Sequence, residues 1–337
     1  MSQSAPDATL SSTPETVLWG YLAANLPAAL TIKSGQVVRI DTLSHQGLTT
    51  SQDPVKYFGA HGIVPDQVLP DAMVIYSQVI RPKGAGVHFL TGPIYIEEAE
   101  PGDMLEVRVL DVKFRVPYGV NNTGPGRGVL PDLIKGPTPK VIHLDLDRNV
   151  ALFSGDIEIP LDPFMGIMAV APPRTIGLVS STPPGAWGGN MDLKKLVKGS
   201  TLYLPVFNKG GQFFTGDGHG IQGDGEVDGG ALEISLTPTL QFILHKGKEL
   251  KSPMAETSTE YITIGMSVDL NEATKIAVQE AVNFLEREKH LSSADAYALA
   301  SLSVDLVIGE DVDIVNLVYA KIPKGIFKDN PAYWFEP

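Results

Sequence analysis

Apolar residues along most of the chain occur in short runs that glycine, proline and polar clusters interrupt. Within residues 103–112, Leu105 and Val107 alternate with Glu106 and Arg108, which is the period of a half-buried strand. Many short strands at nearly regular spacing predict a sandwich or a barrel. The clearest predicted strands are residues 36–40, 103–112, 140–146, 175–180, 201–207, 231–236 and 261–266.

The spacing of apolar residues becomes helical after Asp269. Asp269 and Ser292 can each cap a helix, and each is followed three residues later by an acidic residue, as in a capping box. The pattern therefore predicts helices at about 271–289 and 293–302. The second helix is apolar nearly all round, which predicts burial on more than one side. These apolar positions are Ala294, Ala296, Ala298, Leu299, Ala300 and Leu302.

The chain therefore divides into three parts. Residues 1–14 are polar and are interpreted as a disordered tail, residues 15–268 as a β-rich catalytic body, and residues 269–337 as a C-terminal helical α/β segment packed on that body. The all-round apolar helix also predicts a homo-oligomer, in which the C-terminal helices or the N-terminal arm contribute to the contact.

Composition narrows the class of protein. The 337 residues carry a net charge of −13 and show no basic stripe, which argues against nucleic acid and anionic membranes as partners. Cysteine is absent, so there is no thiol nucleophile and no thiolate zinc site. No signal peptide and no apolar run as long as a membrane span is evident, so we expect a cytoplasmic protein.

One stretch, residues 213–233, combines many glycines with acidic residues and a histidine. The glycines disfavour a helix and favour a tight hairpin or loop. Crowded carboxylates repel one another unless a cation or protons neutralise them. Two interpretations are open: a solvated acidic turn, or a hydrolytic site with oxygen and imidazole ligands. The titratable residues are Asp217, His219, Asp224, Glu226 and Asp228.

Asp217 and His219 are two residues apart, so in an extended segment their side chains share a face. Asp41 and His45 follow another predicted strand and can join the same site, although a capping Asp and a surface His explain them equally well. We therefore predict metal ligation by Asp217, His219, Asp41 and His45. Zinc is the preferred ion, with calcium or manganese as alternatives.

The remaining candidates concern catalysis and substrate binding. His219, Glu226 and Asp217 are predicted to be catalytic, through water activated by metal or carboxylate. His88 and Thr91 lie where a strand begins and can shape a pocket. Trp187 between glycines can form a pocket wall or fill the edge of the core. We predict substrate binding by His88, Thr91, Trp187 and Asn190.

Many ordered motifs in the chain resemble one known family. GDGHGIQGDGEV at 216–227 is similar to the central motif of the acetamidase/formamidase family. The likeness extends from about residue 15 to the C-terminus. IDTLSHQGLTTSQDPVKYFGAHG (40–62) and Lys-Ile-Pro-Lys (321–324) resemble the longer, formamidase-like members. The other matching segments are 91–111, 117–131, 163–172, 183–196 and 200–207.

The resemblance implies a mainly β fold with helical additions, around a jelly-roll or CUB-like β-sandwich core. It also implies hydrolysis of the C–N bond of small amides such as formamide. Hydrolysis of a γ-lactam at the same site, and a non-catalytic β-rich protein with a structural calcium ion, are the alternatives. The chain departs from the motif at one place, where Asp228, Gly229 and Gly230 replace an expected Cys or Ser, Gly and Thr.

Overall fold

The computed structural model describes residues 5–50, 52–328 and 334. The protein is mainly β with a few helices. The α-helices are α1 (Pro54–Gly59), α2 (Pro70–Gln78), α3 (Leu270–Lys289) and α4 (Ser293–Ser303), and short 3-10 turns occur at Pro65–Gln67, Arg174–Ile176 and Lys324–Ile326.

The largest sheet has nine strands, numbered here in chain order. In spatial order they are β1 (Ala8–Leu10), β5 (Val37–Ile40), β17 (Leu236–His245), β7 (Met104–Phe114), β15 (Thr201–Pro205), β18 (Met254–Glu256), β19 (Glu260–Ser267), β21 (Asn316–Pro323) and β20 (Asp305–Glu310). Because β19 and β21 pair along their whole length, the C-terminal segment continues the sheet of the body.

A second sheet carries the strands that position the candidate site. It contains β14 (Gly188–Asn190), β12 (Phe164–Val170), β16 (Phe213–His219), β6 (Phe89–Ile96) and β2 (Val17–Trp19), with β4 (Leu30–Ile32) parallel to β6. The third sheet contains β11 (Ile157–Pro160), β10 (Val150–Ser154), β9 (Thr138–Asp145) and β8 (Tyr118–Thr123), and a small ribbon pairs β3 (Tyr21–Leu22) with β13 (Val179–Ser180).

The hydrophobic core joins the nine-stranded sheet to the site-bearing sheet. Leu105, Leu204 and Phe242 from the first sheet belong to one buried cluster with Met168 and Phe213 from the second. Removing such side chains from water is the main stabilising contribution to the fold. The core therefore holds the two sheets together and anchors β16, whose C-terminal end carries the site residues.

The C-terminal helices agree with the sequence-based prediction in their bounds and caps, but α4 buries only Ala296 and Ala300, so the predicted burial on more than one side is not met within one chain. Asp269 and Ser292 are the N-caps of α3 and α4, and each side chain accepts a hydrogen bond from the backbone N–H three residues later. Helix α3 packs on β19 and β21 through buried alanines, which include Ala273 and Ala277. Among the described helices, none has the length and apolar character needed to cross a membrane.

Three local predictions are wrong. Residues 8–10 of the predicted disordered tail form β1 in parallel pairing with β5, because Leu10 is buried in the core; residues 1–4 lie outside the described part. Residues 175–180 form strand only at 179–180. Of residues 231–236, only Leu236 belongs to a strand, because β17 begins there. The preceding residues make only isolated bridges at Glu233. The jelly-roll or CUB-like arrangement stays a prediction.

Candidate active site

Strand β16 carries the first two side chains of the site, Asp217 and His219. Its glycines let neighbouring backbone approach closely: a Cβ on Gly216 would lie 2.1 Å from the Phe89 carbonyl oxygen, and one on Gly218 would lie 2.5 Å from that of Ile234. Residues 213–219 therefore form a buried strand, and the chain then turns back so that Gly220 N–H donates to the Leu232 carbonyl oxygen and His219 bridges Glu233, in agreement with the predicted hairpin or loop. Asp217 has a left-handed backbone, which Asp adopts more readily than most residues.

Five buried side chains meet at the end of this strand, and we call them the imidazole group. His219 Nε2 lies 3.3 Å from Asp217 Oδ2 and 3.3 Å from Glu233 Oε1. His45 Nδ1 lies 3.8 Å from Asp217 Oδ1, and His88 Nε2 lies 3.9 Å from Asp217 Oδ2. The group consists of His45, His88, Asp217, His219 and Glu233, drawn from four separate parts of the chain.

Two of these imidazoles are held by their outer nitrogens. His88 Nδ1 lies 2.9 Å from Ser181 Oγ, and His45 Nε2 lies 3.0 Å from the side-chain amide of Gln46. Each ring therefore turns its other nitrogen towards Asp217. An outer hydrogen bond that orients an imidazole in this way is characteristic of metal-binding histidines.

Burial and neighbouring charges separate the pKa values within the imidazole group. Burial, together with His88, lowers the pKa of His45 to about 3, so this ring is neutral at ordinary pH. Burial alone would raise the pKa of Asp217, but His88 and His219 lower it below its usual range. Burial likewise opposes a charge on His219, yet Glu233 and Asp217 raise its pKa well above the ordinary value. Burial raises the pKa of Glu233.

A second set of polar side chains lies on the Nδ1 side of His219, and we call it the carboxylate group. His219 Nδ1 is 3.6 Å from Asp192 Oδ1, and Glu226 joins these two in a set whose ligand atoms lie within 4.8 Å of one another. Asn190 donates a hydrogen bond to Asp313. The group consists of Asp192, Glu226, Glu310, Asp313 and the amide of Asn190.

Gly166 on β12 forms the floor between the two groups. A Cβ at this position would lie 2.3 Å from Asp192 Oδ1, 2.8 Å from Asp217 Oδ2 and 2.9 Å from His219 Cε1. The absence of a side chain therefore lets both carboxylates approach one face of the imidazole.

Comparison of the sequence with known proteins identifies a family. Residues 75–178 and 177–329 match the acetamidase/formamidase family. The chain belongs to the acetamidase/formamidase family. A curated formamidase from Methylophilus methylotrophus is 27% identical over 319 residues, covering 72% of this chain and 77% of that protein. An acetamidase from Mycolicibacterium smegmatis is 27% identical over 228 residues, covering 48% of this chain and 55% of that protein.

Solved structures agree with this family assignment. A predicted acetamidase/formamidase from Thermoanaerobacter tengcongensis superimposes with a TM-score of 0.81 at 26% identity, covering 97% of this chain and 98% of that one. A γ-lactamase from Delftia acidovorans gives a TM-score of 0.60 at 20% identity, covering 96% and 94%, which is a likeness of fold alone.

The structure brings most of the predicted site residues of this family member together. Asp217, His219 and His45 lie in the imidazole group, as does His88, which was expected to bind substrate. Glu226 and Asn190 lie in the carboxylate group.

Other predicted residues lie elsewhere. The carboxylate of Asp41 accepts a hydrogen bond from Thr237, and the Thr91 hydroxyl donates to the Asp41 carbonyl oxygen, so neither joins the imidazole group. Trp187 packs against the hydrophobic core. Asp224 pairs with Lys194, and Asp228, at the position that departs from the family motif, accepts a hydrogen bond from Asn121.

Three functional candidates were missed by sequence reasoning, namely Glu233, Asp192 and Asp313. Glu233 closes the glycine-rich stretch, and its apolar neighbours predict only a strand. Asp192 lies inside the segment 183–196 that resembles the family, but no local pattern predicts a role for it. Asp313 belongs to an acidic run that carried no other signal. The topology brings all three to the end of β16.

The imidazole group fits a divalent cation. Several of its buried polar atoms have no hydrogen-bond partner among the described residues: His45 Nδ1, Asp217 Oδ1 and Glu233 Oε2. Unpaired buried polar atoms are costly, and a cation would satisfy those that accept. Two imidazoles with one carboxylate are also a common ligand set for a catalytic zinc, which keeps one position open.

Proposed function

We propose that this chain cleaves the C–N bond of small linear amides, such as formamide and acetamide, to a carboxylate and ammonia. Membership of the acetamidase/formamidase family and the likeness to a curated formamidase and acetamidase support an amide hydrolase. They also favour an enzyme over the alternative of a non-catalytic calcium protein. A location in the cytoplasm stays a prediction.

We further propose that a divalent metal, preferably zinc, is held by His45, His88 and Asp217. The observation that carries this assignment is the pair of imidazoles fixed at their outer nitrogens, with the other nitrogens facing one carboxylate. Such an ion, when bound, lowers the pKa of water and polarises a carbonyl oxygen. The low pKa of His45 suits ligation, because only the neutral ring binds a metal.

His219 and Glu233 are suited to move protons beside this position. Oε2 of Glu233 has no hydrogen-bond partner among the described residues, so it can accept the proton of an attacking water. His219 carries a proton at neutral pH because Glu233 and Asp217 outweigh the effect of burial on its pKa. It can therefore donate to the departing nitrogen. The catalytic role predicted for Glu226 stays a prediction.

The function is tested by following ammonia release from formamide and acetamide before and after chelation. We expect hydrolysis of both amides, loss of activity with the metal, and recovery when zinc is returned. Ring opening of a γ-lactam, followed by the appearance of a primary amine, tests the related activity. Full activity in protein shown to contain no metal would contradict the metal assignment while leaving amide hydrolysis intact.

A serine nucleophile is the alternative mechanism that one contact favours. Ser181 Oγ lies 2.9 Å from His88 Nδ1, and His88 Nε2 faces Asp217, so the three side chains form a chain of polar contacts. We expect no acyl adduct on the wild-type protein by mass spectrometry, and we expect Ser181→Ala to lose about 10–100-fold in metal affinity or activity, because His88 loses the hydrogen bond that orients it. A trapped acyl-serine at position 181 would establish covalent catalysis instead.

We also propose that the protein is a homo-oligomer that uses α4. Its apolar face is incompletely covered: Tyr297 is 65% exposed and Leu302 is 84% exposed, beside a groove of about 660 Å³ between α3 and α4. Light scattering at micromolar concentration should give more than the monomer mass of 36.1 kDa. Ala298→Glu should dissociate or unfold the assembly, whereas a charge change at Glu286 should do neither.

A further inference from the structure

The carboxylate group contains more acidic side chains than a single metal at the imidazole group requires. Asp192 is 1% exposed, Glu226 is 7% exposed and Glu310 is fully buried. Asp313 lies close enough to Asp192 for the two carboxyl groups to interact. Lys194, two residues after Asp192, pairs with Asp224 at 2.6 Å and so does not neutralise the group.

Several oxygen atoms of this group are also unsatisfied. Both carboxylate oxygens of Asp192 and the side-chain oxygen of Asn190 are buried without a hydrogen-bond partner in the described part of the chain. Asn190 uses its amide nitrogen to donate to Asp313, which leaves its oxygen as a free acceptor. Buried acceptors with no donor are the feature that a bound cation removes.

The ligand chemistry of the two groups differs. Three imidazoles dominate the first, whereas the second offers oxygen atoms from carboxylates and an amide. Oxygen ligands suit hard cations such as Ca²⁺, Mg²⁺ and Mn²⁺, while imidazole suits zinc and other transition metals. His219 lies between the groups, with Nε2 towards Asp217 and Glu233 and Nδ1 towards Asp192.

We propose that the carboxylate group is a second, separate cation site that takes a hard divalent ion. Asp192, Glu226, Asp313 and the side-chain oxygen of Asn190 supply its ligands. Its ligands are different side chains from those of the proposed zinc, although Asp313 lies close enough to His88 and Asp217 to feel their charges. The ion also holds Asp192 ionised beside His219 Nδ1, so it helps to orient the imidazole that serves the reaction.

The opposing arrangement is a set of shared protons. Burial raises the pKa values of Asp192, Glu226 and Asp313, which in the absence of a cation favours protonated carboxyls that hydrogen-bond to one another. The two arrangements differ in stoichiometry: a proton-sharing group binds no ion, whereas the proposed site binds one in addition to any zinc.

The test uses full-length protein stripped with a chelator, reloaded with one equivalent of Zn²⁺ and then titrated with Mn²⁺ alone. Metal content is measured by mass spectrometry, and bound manganese by its electron paramagnetic resonance spectrum. We expect two ions per chain, one of each metal. Wild-type protein that holds zinc but binds no manganese would overturn the second site.

Variants assign the ions to the groups. Asp313→Asn should weaken manganese binding by at least about 10-fold, a loss that even an outer-shell partner of a metal can cause, and should retain zinc. His45→Gln should weaken zinc binding and retain manganese. Asp311→Asn, in the same acidic run, is the matched control and should bind both ions normally. Glu226→Gln gives the same test if Asp313→Asn does not fold.

Two outcomes separate this proposal from the proposed function. Manganese binding that survives in both Asp313→Asn and Glu226→Gln would overturn the assignment of the second site. If zinc fails to bind while one manganese ion binds and is lost in Asp313→Asn, the zinc site of the proposed function is wrong and the second site stands.

Discussion

Two regions of the molecule bury charged side chains to a similar extent but satisfy them differently. Near the C-terminus, Lys324 Nζ lies 2.6 Å from Glu256 Oε2, and both side chains are 1% exposed. The Tyr203 hydroxyl and the backbone N–H of Trp334 donate to the same carboxylate. We call this set the Glu256 clamp, and in it both carboxylate oxygens accept hydrogen bonds.

The imidazole and carboxylate groups present the opposite condition. Their side chains are buried, apart from the half-buried Asp313, yet atoms such as His45 Nδ1, Asp217 Oδ1 and Asp192 Oδ2 have no hydrogen-bond partner among the described residues. In the clamp, contacts within the chain satisfy every charged atom of Glu256. In the active site, several buried polar atoms remain available to a ligand. The fully hydrogen-bonded charges of the clamp stabilise the fold. The incompletely hydrogen-bonded charges of the active site are available for catalysis, at a cost in stability.

The largest expected effect is on catalysis and tests the functional side of this comparison. His219→Gln removes the imidazole that contacts Asp217 and Glu233, so we expect the rate of formamide hydrolysis to fall by about 10²–10⁴-fold. The protein should still fold, with a lower melting temperature, because Asp217 and Glu233 lose the positive charge that offsets theirs. Both quantities are measured on the same preparation.

His143→Gln is the matched control for this substitution, since His143 is exposed on β9. It should preserve both the rate and the melting temperature. If His219→Gln instead unfolds in proportion to its loss of activity, His219 is a structural residue and the distinction between the two regions is wrong.

The next effect concerns stability and tests the clamp. Lys324→Met leaves Glu256 buried with its cation removed, so we expect the free energy of unfolding to fall by about 3–5 kcal/mol. Denaturant titration measures this loss, and the rate per folded molecule should be unchanged. Lys275→Met, which removes an exposed partner of Glu272, should change stability by less than about 0.5 kcal/mol.

A second substitution sharpens this test. Adding Glu256→Gln to Lys324→Met removes the unpaired charge, so the double variant should recover part of the lost stability. An equal or greater loss in the double variant would contradict a clamp built on charge pairing.

Local sequence signals predicted the parts of the structure that depend on neighbours in the chain. The caps at Asp269 and Ser292 fixed the starts of α3 and α4, and the spacing of Asp217 and His219 placed both side chains in one group. The glycines of β16 serve close backbone approach within a sheet, and the hairpin or loop that the composition predicts follows at residues 220–233.

The rest of the site depends on contacts distant in sequence. Asp192, Glu233 and Asp313 come from a segment after β14, a segment before β17 and a loop between β20 and β21. No local pattern links these three positions. Their convergence on His219 follows from strand order, which a single sequence does not encode in any short stretch.

The last prediction concerns Glu310. Its substitution should raise the free energy of unfolding, whereas the clamp substitution lowers it. Burial raises its pKa from 4.5 to about 8, so the folded chain retains a proton that the unfolded chain has already released. Stability should therefore fall as pH rises from about 4.5 to 8, where the unfolded state binds fewer protons than the native state.

Glu310→Gln removes this ionisation but keeps an acceptor for the backbone N–H groups of Val312 and Asp313. In metal-free protein with chelator present, we expect the variant to be more stable than wild type by a few kcal/mol above pH 8. Between about pH 4.5 and 8, the stability of the variant should fall much less than that of wild type. Melting temperatures from pH 5 to 9 measure both, with exposed Glu272→Gln as the control. Parallel curves for Glu310→Gln and wild type would show that the buried carboxyl is satisfied, as it is in the clamp, and would remove the contrast between the two regions.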